Sequence, residues 1–272
     1  MAQVQATTRR RVWLRRPGSG AIGPVDRGKL ARWALSIALF FLLWEAIGRS
    51  RQLIAILPAS EVLPDLASQI AEGDILVATL GTLRIAAVGF LIGTAIGVPV
   101  GLLLGLSERW SSVLDPLVNA SLSAPIAMFI PVIAVYFGLE FKAKVIGVLL
   151  FNVFVIIVNT ATGIREVPPS VVEMGRAFGT SRTNMYRRII LPWASPYIIT
   201  GLRIGVGRSV EGAILFDLFL RTENLGLVIR NAAGSFDLST LLGSVFFITI
   251  IAAVTMGLAR IVEWRLLRWK TG

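Results

Sequence analysis

Six apolar stretches, each about long enough to cross a bilayer, constrain this chain more than any other feature. A spanning helix takes roughly 20 residues at about 1.5 Å rise. The stretches fall at residues 33–47, 85–106, 116–137, 145–164, 194–218 and 241–262. None alternates with period two, and in lipid only helices and closed barrels satisfy their own backbone, so all six read as helices. Composition agrees. Of 272 residues, 55% are hydrophobic and 16% charged, with a mean hydropathy of +0.75; an ordinary soluble domain carries about 25% charged residues. Cysteine and histidine are both absent, which excludes disulfide scaffolds, thiol nucleophiles, Cys/His zinc sites and imidazole-based catalysis.

Lys and Arg exceed Asp and Glu by 11, at 27 against 16. Sorted by loop, this excess describes topology and not nucleic-acid binding. One set of alternate segments holds 18 basic residues: Arg9, Arg10, Arg11, Arg15, Arg16, Arg27, Lys29 and Arg32, then Arg109, then Arg165, Arg176, Arg182, Arg187 and Arg188, and finally Arg260, Arg265, Arg268 and Lys270. The other side holds six: Arg49, Arg51, Lys142, Lys144, Arg221 and Arg230. The positive-inside rule predicts a multi-pass protein of the cytoplasmic (inner) membrane with both termini cytoplasmic. Residues 1–32 then form a basic cytoplasmic tail, 33–272 the transmembrane domain, and 165–192 its long cytoplasmic loop. Between the first two spans, Ser60 is expected to cap a short surface helix over 61–71.

Packing signals are also legible. Gly89, Gly93, Gly97, Gly101 and Gly105 recur every four residues, forming one side-chain-free stripe that lets another helix approach closely. Gly201 and Gly205 continue into a shorter stripe through Ser209 and Ala213. Tight packing within the subunit is the main expectation, and packing against a second copy the alternative. Pro116, Pro125 and Pro131 bend the third span, with Ser123 along its polar part. Polar groups inside the membrane mark a candidate solute path: Ser123, Asn152, Asn159, Arg203, Arg208 and Glu211. Arg208 and Glu211 stand three apart and are placed to pair. Arg203 has no acidic residue three or four positions away, and its depth, about 15 Å into the fifth span, calls for a carboxylate from another helix, water or a passing anion.

The loop between the fourth and fifth spans is the most specific feature. Ser170 followed by Glu173 has the spacing of a capping box, and Gly179 is placed as a left-handed C-terminal cap. These predict a two-turn helix over 170–179 and a second helix over 181–192. On a cytoplasmic loop the apolar Val171, Met174 and Phe178 have no bilayer to enter, so this helix calls for a partner protein.

Glu173, Gly179 six residues later, Ile189, Leu191 and Pro192 together resemble the cytoplasmic signature of membrane subunits of binding-protein-dependent ABC importers. Met174 and Gly175 stand where that signature has two alanines, while Arg176, Ala177, Phe178 and Ser181 complete the segment. Leu57-Pro58 with Ser60, the 89–105 stripe, Ile130-Pro131 with Phe137-Gly138, and 197–205 resemble the branch that imports nitrate, taurine and aliphatic sulfonates. Phe216-Asp217-Leu218 departs from it, standing where that branch has an alanine, a glutamate and a large apolar residue. The resemblance implies an all-α, six-transmembrane-helix importer permease of the type I kind. It implies two permease copies, as a homodimer, with two ATPase subunits that bind ATP and Mg and dock on the 170–179 helix. It also implies an extracytoplasmic substrate-binding protein and a small anionic solute. No phosphate-cradling G-x-x-x-x-G-K-[ST] loop occurs in the chain, so no cofactor is expected on it. The rival readings are a stand-alone secondary transporter or channel, for which repeated broken halves are missing, and an intramembrane enzyme, for which no acidic pair shares a face.

Overall fold

The computed structural model describes residues 27–50, 56–220 and 224–268, which are almost entirely helical. The first two helices are α1 (Arg27–Arg49) and α2 (Ala59–Glu72). Gly73, at φ +91°, turns the chain directly into α3 (Asp74–Leu106), a left-handed conformation that glycine adopts without strain. There follow α4 (Glu108–Ser123), α5 (Ile130–Phe137), α6 (Phe141–Arg165), α7 (Pro169–Ala177), the single turn α8 (Arg182–Met185), α9 (Leu191–Leu220), α10 (Asn224–Gly234) and α11 (Leu238–Leu267).

The glycine stripe decides how the centre is built. A Cβ on Gly89, Gly93, Gly97, Gly101 or Gly105 would collide with Val148, Asn152, Ile156, Thr160 or Ile164 respectively, at 1.7–2.9 Å. The two numbers advance together, so α3 and α6 run parallel and meet once per turn along their full contact. The stripe is therefore spent inside the subunit, and the alternative of a second copy at this seam is set aside. On the other side of α6, Gly163 lies against Tyr197, Asn159 against Gly201 and Phe151 against Gly212. Here the numbers run in opposite directions, so α9 is antiparallel to α6. Gly207 of α9 faces Met256, and Arg203 faces Glu263 of the antiparallel α11. The interior of the bundle, including Val148, Ile156, Ala213 and Phe216, is fully buried.

Because α3 and α6 point the same way, the chain between them must return across the bundle. It does so as a broken span. The expected single helix over 116–137 is α4 and α5 joined through a 3-10 turn at Ile126–Phe129, with a 90° bend. Pro125 has no N–H to continue the helix, and it forces Ala124 into extended backbone at ψ 135°. Among the described residues, five helices, counting the stretch from Arg182 through Leu220 as one, are long and apolar enough to span a membrane, and the bent pair makes six.

α1 packs at the periphery. The Phe41 and Trp44 rings meet Phe246 near the start of α11, at 5.8 and 5.4 Å between centroids. The end of α1 thus lies beside the start of α11, and α1 begins on the face where α11 ends. Ser60 does not cap α2. Pro58 is the N-cap residue, and the Ser60 backbone N–H (3.0 Å) and hydroxyl (2.8 Å) both donate to Glu45 of α1. A carboxylate from a neighbouring helix fills the role expected of the serine, because position N2 presents one of the four unpaired N–H groups at a positive helix end.

Candidate functional site

The loop that carries the motif sits on the face where α3 and α6 end and α9 begins. Pro168 holds the extended N-cap conformation (ψ 132°), and Pro169 opens α7 at its first position, where a missing N–H costs nothing. This displaces the expected capping box. Ser170 lies inside the first turn with no cap hydrogen bond, and Glu173 is exposed. The helix ends at Ala177, two residues short of expectation. Gly179 then adopts φ +68°, Thr180 N–H donates to Gly175 O (3.1 Å) and Gly179 N–H to Arg176 O (2.9 Å). That pair of bonds is a Schellman cap, and it satisfies two carbonyls the helix would otherwise leave open.

α7 has two faces. Val172 joins the buried cluster of Ile164, Val167, Met185, Ile190 and Ala194, and the buried Gly175 approaches the ends of Met185 and Ile189. The opposite face turns outward, with Met174 54% and Phe178 82% exposed, one helical turn apart, flanked by exposed Arg176 and Ala177. Ser181 caps α8 by accepting from Asn184 N–H at 3.4 Å. The helix expected to stop at Pro192 does not stop. A π turn at Tyr186–Ile190 carries it into α9, where the Leu191 N–H reaches back to Tyr186 O. The wider turn accommodates Pro192, whose ring and missing N–H would disrupt an α-helical turn there. Ile189 packs inward with the buried cluster, while Leu191 and Pro192 are half-buried. This part of the motif joins the loop rigidly to the bundle, leaving Met174 and Phe178 as its outward contacts.

A clamp that sequence reasoning missed holds the same face. Arg165 Nη2 donates to both Asp115 oxygens (2.7 and 3.0 Å), to Ser111 Oγ (2.9 Å) and to Leu104 O (3.3 Å), tying the end of α6 to α3 and α4. Nothing in the spacing of residues 50 or more apart announces it.

The candidate path residues separate. Asn152 is fully buried between three helices, donating to Gly89 O (3.2 Å), Val148 O (2.9 Å) and Ser209 Oγ (2.9 Å), and it does not reach an open face. Asn159 donates to Val155 O (2.8 Å) and abuts Gly201. Ser123 is exposed at the break in the bent span, its hydroxyl on Asn119 O. Arg203 is not partnerless: Glu263 of α11 stands 3.0 Å from its Nε, and Thr200 also donates to that carboxylate, at 3.3 Å. Glu263 is four residues from the end of α11, so Arg203 lies toward the α7 face and not at mid-span. Arg208 and Glu211 pair as expected, at 2.8 Å, with side chains 41% and 49% exposed.

Lys144, expected among the loop charges, is instead buried in α6 (3% exposed) and forms an ion pair with the fully buried Asp217 of α9. Thr82 Oγ1 donates to the second Asp217 oxygen (2.6 Å), and Asn224 Nδ2 to the first (3.3 Å). Asn224, at φ +69°, thereby fixes the start of α10 against α9, and its side chain fills the space over Gly81. Among the described residues, no three acidic, His or Cys side chains cluster as metal ligands.

Residues 97–268 match the family described as "Binding-protein-dependent transport system inner membrane component". The chain belongs to this family. The permease is 25% identical over 235 residues to the aliphatic sulfonates transport permease SsuC of Bacillus subtilis (strain 168), covering 86% of this chain and 85% of that one. It is 33% identical over 193 residues to the bicarbonate transport system permease CmpB of Synechococcus elongatus, covering 70% and 68%. The fold matches the MetNI methionine ABC transporter in an inward-facing conformation, with a TM-score of 0.62 at 18% identity over 72% of this chain and 97% of that one. The permease is thus the transmembrane component of a binding-protein-dependent ABC importer.

Proposed function

We propose that the permease moves a small anionic solute, of the sulfonate, taurine or bicarbonate kind, inward across the cytoplasmic membrane. It works as two copies, energised by two separate ATPase subunits that bind ATP and Mg, and receives solute from an extracytoplasmic binding protein. One observation carries the coupling part: a capped helix on an aqueous face that buries Val172 and Gly175 inward and leaves Met174 and Phe178 outward. Two large apolar side chains one turn apart on a fixed helix beyond the lipid form a patch that suits a protein partner. The bundle supports the orientation, since Arg109, Arg165, Arg176, Arg182, Arg187, Arg188, Arg260 and Arg265 all lie toward the α7 face, which is then the cytoplasmic one. The solute reading rests on the relatives' names.

The test is co-purification from mild detergent, with the neighbouring genes co-expressed. An ATPase subunit should elute in equal amount with the wild type and be lost from Met174→Asp/Phe178→Asp, while the melting temperature of the permease stays unchanged. A well-folded wild type that carries no ATPase would overturn the reading in favour of a stand-alone transporter.

A further inference from the structure

Helices α1 and α11 touch near one end and part toward the other. Phe41 and Trp44 of α1 meet Phe246 of α11, but every residue from Ala31 to Phe40 is exposed, so no side of α1 is covered over that length. α11 is bare on the matching side. At about 100° per residue, Trp264 lies directly below Phe246, about 27 Å along the helix. Between them Ala253 and Gly257 are exposed, and a Cβ on Gly257 would meet nothing within 4 Å. The two helices therefore frame a wedge, closed by three aromatic rings at its outer end and open toward the α7 face. Its walls are apolar, with Ile37 of α1 and Ile250 and Ile261 of α11 exposed. Its mouth is not. Arg260, Trp264 and Arg268 follow at four-residue steps on this side of α11, with Arg265 beside them, and all four are exposed. The Arg268 guanidinium lies over the Trp264 ring, 5.4 Å from its centroid, and the exposed Trp33 of α1 stands on the side that carries Trp44. Counted from Leu241, Arg260 lies about 29 Å along α11, at the inner edge of a hydrocarbon core about 30 Å thick. Among the described residues, neither Arg260 nor Arg265 joins an ion pair, and Glu263, the one acidic residue of α11, is held by Arg203.

We infer that this wedge holds an anionic phospholipid of the inner leaflet, its phosphate on the arginines at the end of α11 and its acyl chains between α11 and α1. This rests on the proposed orientation, in which the α7 face is cytoplasmic. Charge and apolarity are ordered as such a lipid needs them. Guanidinium groups suit phosphate oxygens, to which they can donate two parallel hydrogen bonds. Basic pockets between spanning helices on the cytoplasmic side take anionic headgroups, and tryptophan settles at the headgroup level, where its ring is apolar and its N–H is wet. Two copies meeting through this side would set arginine against arginine at equal depth. A phospholipid brings the anion to the mouth and hydrocarbon to the walls, with no carboxylate required from protein.

The test melts the full-length permease in a neutral detergent with dioleoyl phosphatidylglycerol, dioleoyl phosphatidylcholine or inorganic phosphate added. A ligand at about tenfold its Kd raises the melting temperature by about 3–5 °C; phosphatidylglycerol should do so, and the other two should not. Arg260→Gln/Arg265→Gln/Arg268→Gln should lose the shift. Arg109→Gln/Arg182→Gln/Arg187→Gln, an equal loss of charge elsewhere on the same face, should keep it. A second variant touches no charge: Gly257→Trp points into open space, so it should fold, fill the wedge and abolish the shift. An equal rise with phosphatidylcholine would overturn recognition of the headgroup, and a rise with phosphate alone would make the arginines a soluble-anion site. A shift kept by both the first triple variant and Gly257→Trp would place the lipid elsewhere. The chain has no cysteine, so two copies joined at Gly257→Cys by a short bismaleimide would put protein in the wedge and overturn the lipid. None of these readouts involves the ATPase, so their failure leaves the importer reading standing, and co-purification tests that reading separately.

Discussion

Two neighbouring regions, the α3–α6 seam and the loop helix α7, use glycine in opposite ways. α6 is enclosed by α3 and α9, and its contact with α3 depends on glycine at every turn; a Cβ at Gly93 would stand 1.7 Å from Asn152 Oδ1. α7 also carries an inward glycine, but a Cβ at Gly175 would meet only the flexible ends of Met185 and Ile189, at 2.8 Å. The central seam is stiff on both sides, because its groups are packed or hydrogen-bonded within the subunit. The loop helix is stiff on one side and open on the other. The first region holds shape, and the second is the one on which the proposed ATPase contact rests.

The largest effect should come from breaking the seam. Gly93→Val drives a side chain into Asn152, whose three donor contacts hold α3, α6 and α9 together. Overpacking combined with lost buried hydrogen bonds costs about 3 kcal/mol or more. The expected result is loss of monodisperse protein in detergent size-exclusion chromatography. Next comes the buried pair at the other end of α6. Lys144→Met alone strands the Asp217 carboxylate and should cost about 3–5 kcal/mol, whereas Lys144→Met/Asp217→Leu should recover most of it. Thermal melts of both variants check this; a double variant no more stable than the single one would remove Asp217 as the source of the cost.

On the loop side the same scale of change should do little to stability. Gly175→Ala lets Met185 swing aside and gains helix propensity of up to about 1 kcal/mol; a melting temperature at or above wild type, with the ATPase retained, is expected. A large loss would show that α7 is as tightly locked as the seam. Smallest is Asp237, the N-cap of α11, which accepts from Thr240 N–H at 3.1 Å. Hydrogen bonds from the Thr240 side chain and backbone hold its carboxyl below the usual carboxylate range. Its folded value lies below its unfolded one, so the cap contributes fully above the unfolded value and is lost as pH falls through the folded one. Asp237→Ala should cost about 0.5–1 kcal/mol, and the difference from wild type should vanish in melts at acid pH.

Local signals were legible where a residue acts on its own stretch of chain. Apolar length gave the spans, the four-residue glycine period gave a close seam, and Gly179 gave the left-handed cap. The two serines fail as caps for one reason: Ser60 and Ser170 have the right spacing, but Pro58 and Pro168 are the N-cap residues and start the helices two residues earlier than a serine cap requires. In both cases proline's fixed φ outweighs one side-chain hydrogen bond.

The sequence by itself determined a helical membrane protein with a glycine-capped helix on the loop before the fifth span, because hydropathy, proline, glycine and caps act within a few residues. Tertiary structure alone decided which helix receives the glycine stripe, that Arg203 belongs to Glu263 and Lys144 to Asp217, and that Arg208–Glu211 is left on an open face. Those outcomes join residues tens of positions apart. In a low-dielectric interior a buried charge takes whichever partner the packing brings within reach, and no local spacing states which one that is.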